Sequence, residues 1–266
     1  MKIIDFHTHI WPDDIAKRAI EKITNTTPGA KAFSDGTLNG LKNSMNQAGI
    51  NCAVILPIAT KPTQVETINN SCKNLMSDRI VPFGTIYPKT KKFPKDIEYL
   101  ANIGVKGIKM HPEYQNFYIQ EKKYFPIYEI LQHKDLILVF HAGKDPGPFL
   151  GDHALPDAIK KVHQNFPKLK IVAAHMGGWM LWKQVEKEII DLPIFFDTSA
   201  TRRWIGTERF LRMIKKHGTE KILFGTDSPW FNQKKDVEWL YSLKVSWEDK
   251  EKIFYKNAKE LLKINL

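Results

Sequence analysis

Eight short apolar runs, rich in β-branched residues, recur along the chain, and longer stretches with helical period separate them. They are Lys2–His7, Cys52–Pro57, Ile80–Ile86, Val105–Met110, Leu136–His141, Lys170–His175, Ile194–Thr198 and Lys221–Thr226. Strands separated by helices cannot pair as hairpins; parallel neighbours joined by crossovers are the arrangement such an alternation allows. Leu38, Leu41, Met45 and Ala48 recur at steps of three and four, and Gly49 follows as a helix stop. Phe125, Tyr128 and Leu131 predict a second helix. A third opens at Asp152 or Pro156 and runs to about Asn165, and Phe210, Ile214 and His217 mark a fourth, stopped by Gly218. The last spans about Trp247 to Lys263. Eight repeats in 266 residues predict one domain over residues 1–266, an α/β fold closed into a TIM (β/α)8 barrel. An open doubly wound sheet would carry a glycine-rich first turn; here that turn reads His-Thr-His-Ile-Trp-Pro.

The barrel turns scattered residues into a set. His7 and His9 end the first run, His141 the fifth, His175 the sixth and Asp227 the eighth. The C-terminal strand ends of a barrel converge on one mouth, where active sites lie. Strict alternation predicts that Asp5, His7 and His9 share the inner face while Ile4 and Phe6 face the helices. It likewise groups Ile137, Val139 and His141, then Ile171, Ala173 and His175, then Leu223, Gly225 and Asp227. A single histidine at a strand end is ordinarily just a satisfied polar group. Five ligand-type residues at four strand ends predict a metal centre. Imidazole and carboxylate donors suit Zn²⁺, with Mn²⁺ or Mg²⁺ as alternatives, and such an ion activates water near neutral pH.

His7-Thr8-His9, Phe140-His141-Ala142-Gly143, Ala174-His175-Met176-Gly177-Gly178 and Phe224-Gly225-Thr226-Asp227-Ser228-Pro229 together resemble the amidohydrolase superfamily. The similarity is to its amidohydrolase 2 branch, which holds hydrolases and decarboxylases related to aminocarboxymuconate-semialdehyde decarboxylase. The resemblance implies one divalent ion held by His7, His9, His141 and Asp227. It implies that His175 is the base or polarising group and that Asp227 also carries a proton. Lys109 and His111, in Gly107-Ile108-Lys109-Met110-His111-Pro112, become substrate contacts. A carbamylated Lys109 bridging two ions is the alternative. Trp11, Trp179 and Arg202 are further expected substrate contacts, by stacking and bidentate hydrogen bonds to a planar acid. Lys144, Asp145, Ser199, Arg203, Trp204 and Trp230 fall nearby.

Three functions compete. Hydrolysis of a small carboxylated amide, lactone or other carbonyl compound by metal-activated water ranks first. Non-oxidative decarboxylation of an unsaturated or aromatic acid uses the same residues and ranks second. A TatD-like nuclease ranks last, because that group presents a glutamate at the end of strand four and Val105 to His111 contains no acid. The net charge of +11 raises nucleic acid as a partner, but the lysines are scattered and form no long basic arm. A small-molecule substrate is therefore expected, without nucleic acid or membrane, and loop tryptophans are compatible with a homodimer. Two cysteines without a Cys-x-x-Cys pair fit a reducing compartment. No apolar run approaches the roughly 20 residues of a membrane span, and Asp5, His7 and His9 interrupt any signal-peptide core. A cytoplasmic protein is expected.

Overall fold

The computed structural model describes residues 1–147 and 151–265. Its strands are β1 (Ile4–Thr8), β2 (Cys52–Ile55), β3 (Ile80–Pro82), β4 (Gly84–Thr85), β5 (Gly107–Met110), β6 (Ile137–Phe140), β7 (Ile171–Ala173), β8 (Phe195–Asp197) and β9 (Ile222–Leu223). All pair in parallel, in the orders β1-β2-β3 and β4 through β9. β3 and β4 are one stave interrupted at Phe83, whose N–H donates to the Ile55 carbonyl. The last strand returns to the first: Phe6 N–H donates to Phe224 O at 2.7 Å, Asp227 N–H to His7 O at 2.8 Å, and Thr8 bridges Ser228. Eight staves thus close into a TIM barrel, each at its expected place in the chain.

Short strands suffice because helices cover them. The helix Leu38–Ala48 forms as its apolar spacing requires: Leu41, Met45 and Ala48 are buried. The Thr37 side chain accepts from Gly40 N–H at its start, and Gly49 ends it at φ +71°. An additional helix, Asp13–Thr26, follows the first strand, with Asp13 and Asp14 in its first turn, where the helix dipole favours acids. Among the described residues no helix is long and apolar enough to cross a membrane.

Ile4, Phe6, Cys52, Val54, Leu56, Phe83, Ile137, Val139, Val172 and Leu223 form one buried apolar cluster. Residues from opposite sides of the ring meet only inside the barrel, so this cluster is its interior. Two inward–outward expectations are corrected by it. Ile4 and Phe6 face inward, and Asp5 points to Thr226 and Gln233. Between Asp5 and Thr8 the β1–β2 register slips, with Asp5 opposite Ala53 and Thr8 opposite Ile55. This bulge inserts one residue, so Phe6 and His7 both turn inward. On β7 the inward residue is Val172, while Ile171 and Ala173 pack in the outer core. His175 still reaches the mouth because the backbone leaves the strand there, at φ +60°.

Candidate active site

At the C-terminal mouth lies a cavity of about 340 Å³, within the range of small-molecule sites. It gathers His7, His9, Trp11, Lys109, His111, His141, His175, Trp179 and Asp227. Arg202 is the exception among the expected contacts. Its Nε donates to Asp236 Oδ1 at 2.5 Å, a carboxylate in the helix Gln233–Ser242, and its neighbour Arg203 lines the cavity instead. The turn after β8 sends adjacent side chains in different directions. Tyr114, Asp145, Trp204, Trp230 and Phe231 complete much of the wall.

The residue that sequence reasoning passed over is Asp197. Fully buried at the end of β8, it accepts from His7 Nδ1 at 2.8 Å, from His175 N–H and Ser199 N–H at 3.0 Å each, and from Ser199 Oγ. Its signal was available: a carboxylate closing the apolar run Ile194-Phe195-Phe196 needs a partner if that run is a buried strand.

These bonds assign the histidine tautomers. His7 donates through Nδ1 to Asp197, and His9 donates through Nδ1 to Leu56 O at 2.8 Å. Ser199 Oγ spends its proton on Asp197, so His175 Nδ1, 2.8 Å from that oxygen, must donate to it or to the Ser199 carbonyl. His175 Nε2 is then an acceptor, and His141 Nδ1 donates to it at 3.1 Å. His7, His9 and His141 are consequently left with Nε2 lone pairs. For His9 that lone pair meets Asp227 Oδ1 at 3.1 Å; for His141 it meets Lys144 O at 3.0 Å and Asp145 Oδ2 at 3.6 Å. Lone pairs facing oxygens call for a cation between them.

Among the described residues three donor clusters could hold an ion: His7–His9–Asp227, His7–His175–Asp197 and His111–His141–Asp145. Tautomers separate them. In the second, His7 and Asp197 already share a proton in a hydrogen bond. In the third, His111 Nδ1 accepts from Tyr114 N–H at 3.3 Å, so its Nε2 carries the proton and is no ligand. Only the first offers unprotonated Nε2 atoms on each histidine beside a carboxylate. Asp227 Oδ1 lies 3.6 Å from His7 Nε2 and 3.1 Å from His9 Nε2. These separations match the edge of about 3.3 Å expected for tetrahedral ligands at zinc-like bond lengths. A carboxylate on His7 and a carbonyl on His9 are the outer partners that orient metal-binding imidazoles. The residues therefore fit a divalent ion. His141 lies outside this closest trio, with its Nε2 lone pair available as the further expected donor.

Burial sets the electrostatics. It pulls His7 down to about 4, helped by the charge of Lys109 and opposed by Asp197. Burial likewise holds His111, His141 and His175 below the usual imidazole range. Burial pushes Asp227 up, but hydrogen bonding to His9 and the nearby histidine charges outweigh it, so this carboxyl stays well below its usual range. Lys109, buried with Nζ 3.3 Å from His7 Nε2, is lowered by desolvation to about 8 against the pull of Asp197 and Asp227. A pH dependence follows. Above 6.5, His7 is neutral in folded and unfolded chains alike; between 6.5 and about 4 the unfolded chain takes up a proton that the fold refuses. Metal-stripped protein is thus expected to lose about 3 kcal/mol of stability over that window from His7 alone. Urea denaturation of metal-free wild-type protein and of His7→Asn at pH 7 and pH 4.5 checks this, because Asp5, raised to about 7, pulls the other way over the same window; an acid-induced loss no larger in wild type than in the variant contradicts it.

Backbone geometry serves the same site. Asp227 sits at φ +71° and Met176 at +55°, conformations that non-glycine residues hold only when neighbours enforce them. Gly225 has no room for a side chain: an added Cβ would lie 2.9 Å from His7 Cβ.

Comparison with known proteins places the geometry in context. The amidohydrolase family model matches residues 4–264. A gamma-resorcylate decarboxylase of Polaromonas sp. (strain JS666) is 27% identical over 133 residues, covering 42% of this chain and 40% of that protein. The match therefore spans less than half of that curated relative's length. An uncharacterized TIM-barrel protein from Bordetella bronchiseptica superposes with a TM-score of 0.82 at 19% identity, over 99% of both chains. A dihydroxybenzoic acid decarboxylase from Polaromonas sp. JS666, solved with bound manganese and the inhibitor 2-nitroresorcinol, superposes with a TM-score of 0.75. It is 15% identical, over 98% of this chain and 97% of that one.

Proposed function

Because the chain belongs to the amidohydrolase family, we propose that it is a metal-dependent decarboxylase of a small aromatic or unsaturated carboxylic acid. This reverses the ranking drawn from sequence, where hydrolysis came first. The observation that carries the reversal is the state of His175. Its Nε2 lone pair is taken by His141 Nδ1–H, and its Nδ1 proton by Ser199, so no free base on His175 faces the cavity to deprotonate water. A decarboxylase needs a proton delivered to carbon instead. The curated decarboxylase relative supports the same direction.

His7, His9 and Asp227, with His141, would hold one divalent ion. Manganese joins zinc as a candidate, since it occupies the related decarboxylase structure. When bound, the ion supplies a Lewis acid that draws electron density from a substrate oxygen. The chain's own groups do the rest. Trp11, Trp179, Trp230 and Phe231 offer flat apolar faces to an aromatic ring, and Lys109 and His111 contact its polar substituents. Asp227, ionised at rest, takes a proton from water and passes it to the ring carbon bearing the carboxylate, leaving hydroxide to solvent, and the His141–His175 pair keeps that region neutral and oriented. The carbon–hydrogen bond forms, the carbon–carboxylate bond breaks, and its electron pair returns to the ring as CO₂ leaves.

Incubation of manganese-loaded protein in D₂O with gamma-resorcylate and a panel of aromatic acids, beside simple lactones, tests the reading. CO₂ release with one deuterium at the vacated carbon is expected for at least one acid. Lactone opening with no CO₂ from any acid would restore hydrolysis.

A further inference from the structure

We propose that Asp5 is a positioning residue that sets the metal-ligand pair His7 and Asp227 at the barrel seam; this rests on the reading that His7, His9 and Asp227 hold a divalent ion. Asp5 is completely buried and lies outside the donor clusters. Its carboxylate accepts four hydrogen bonds. Oδ1 takes His7 N–H at 3.1 Å and Thr226 N–H at 3.0 Å, and Oδ2 takes Thr226 Oγ–H at 2.6 Å and Gln233 Nε2–H at 2.7 Å. Thr226 Oγ in turn accepts from Ser228 N–H at 3.1 Å. One carboxylate therefore grips the backbone of a strand-one ligand and both donors of the residue that precedes Asp227.

The place of this clamp gives it a function. β1 and β9 are the first and last staves, so the ring closes between them, and the two ends of the ligand set come from opposite ends of the chain. Asp227 must also hold φ +71°, a conformation that persists only where the surroundings over-determine it. Fixing Thr226 at both its N–H and its hydroxyl stops rotation immediately before that residue. Gln233 ties the same carboxylate to the helix Gln233–Ser242, behind the seam. Packing alone does not account for an acid here. A buried carboxylate is costly, and among the described residues no ion pair to Asp5 offsets it. An apolar side chain would fill the space with less penalty but could not bind four donors.

Asp5→Asn, Asp5→Leu and Thr226→Val are the test, with Mn²⁺ affinity measured by chelator competition and the melting temperature of each metal-free protein measured alongside. Outer partners of metal ligands typically contribute 10- to 100-fold in affinity. Asp5→Asn is expected to weaken Mn²⁺ binding by about that factor, and Thr226→Val, which keeps the carboxylate, by about 3- to 10-fold, both at temperatures where the variants remain folded. Asp5→Leu is expected to bind Mn²⁺ at least as weakly as Asp5→Asn even if its metal-free melting temperature rises. A role in stability alone would lower the melting temperature and leave affinity within twofold, and that result overturns the clamp. If the Asp5 variants do not fold, Thr226→Val decides by the same twofold criterion. Wild-type protein that takes up no Mn²⁺ overturns the metal reading, and the clamp with it; wild-type binding with unchanged variants overturns the clamp alone.

Discussion

Replacing Asp227 by asparagine is expected to lower kcat/KM by about 10³- to 10⁴-fold, the scale of a lost proton carrier at a catalytic centre. Asp227 stands within 3.6 Å of the Nε2 atoms of both His7 and His9. Its carboxyl is held ionised by His9 and the neighbouring histidine charges against the effect of burial. Asparagine has nearly the same shape but neither the charge that balances a divalent ion nor an oxygen able to carry a proton. Metal content and steady-state kinetics on the same preparation separate the two losses. Full metal occupancy with a drop under tenfold would remove Asp227 from proton transfer.

Asp197→Ala should be the most damaging single change to the fold around the site. Four donors converge on that fully buried carboxylate: His7 Nδ1, the N–H groups of His175 and Ser199, and Ser199 Oγ. Removing it leaves them without their acceptor in a dry environment, and breaking buried polar pairs of this kind costs about 3–5 kcal/mol. Urea denaturation of the metal-free variant reads this directly. Asp197→Asn keeps one acceptor and is expected to lose less. A loss below about 1 kcal/mol for Asp197→Ala would mean that water or rearrangement satisfies the donors, and the tautomers assigned to His7 and His175 would then need revision.

The barrel was legible because its signal is repetitive. Eight apolar runs in a helix-alternating order leave few topologies open, and each run became a stave. The convergence of the histidines and Asp227 on one mouth was legible because they are polar side chains at the ends of otherwise apolar strands, which a barrel brings together. Their inward or outward aim was less legible. Counting alternate residues placed Ile4 and Phe6 outside and Ile171 and Ala173 inside. A bulge at the end of β1 and a left-handed turn at His175 and Met176 reset the count. Both depend on backbone contacts with other strands, which a period of two cannot reveal. Arg202 and Arg203 differ for a similar reason: Asp236, from a helix that follows the last strand, captures the first and leaves the second at the cavity.

The sequence by itself determined the His-Thr-His start of the site and its companions at the other strand ends, because residue type and position along a strand are local properties. Only the tertiary structure decided which imidazole nitrogens are unprotonated. His7 owes its unprotonated Nε2, which faces Lys109 Nζ, to Asp197, 190 residues away, and His9 owes its own to a carbonyl 47 residues away. A ring nitrogen becomes a ligand or a donor according to what its other nitrogen bonds, and those partners arrive only when the barrel closes.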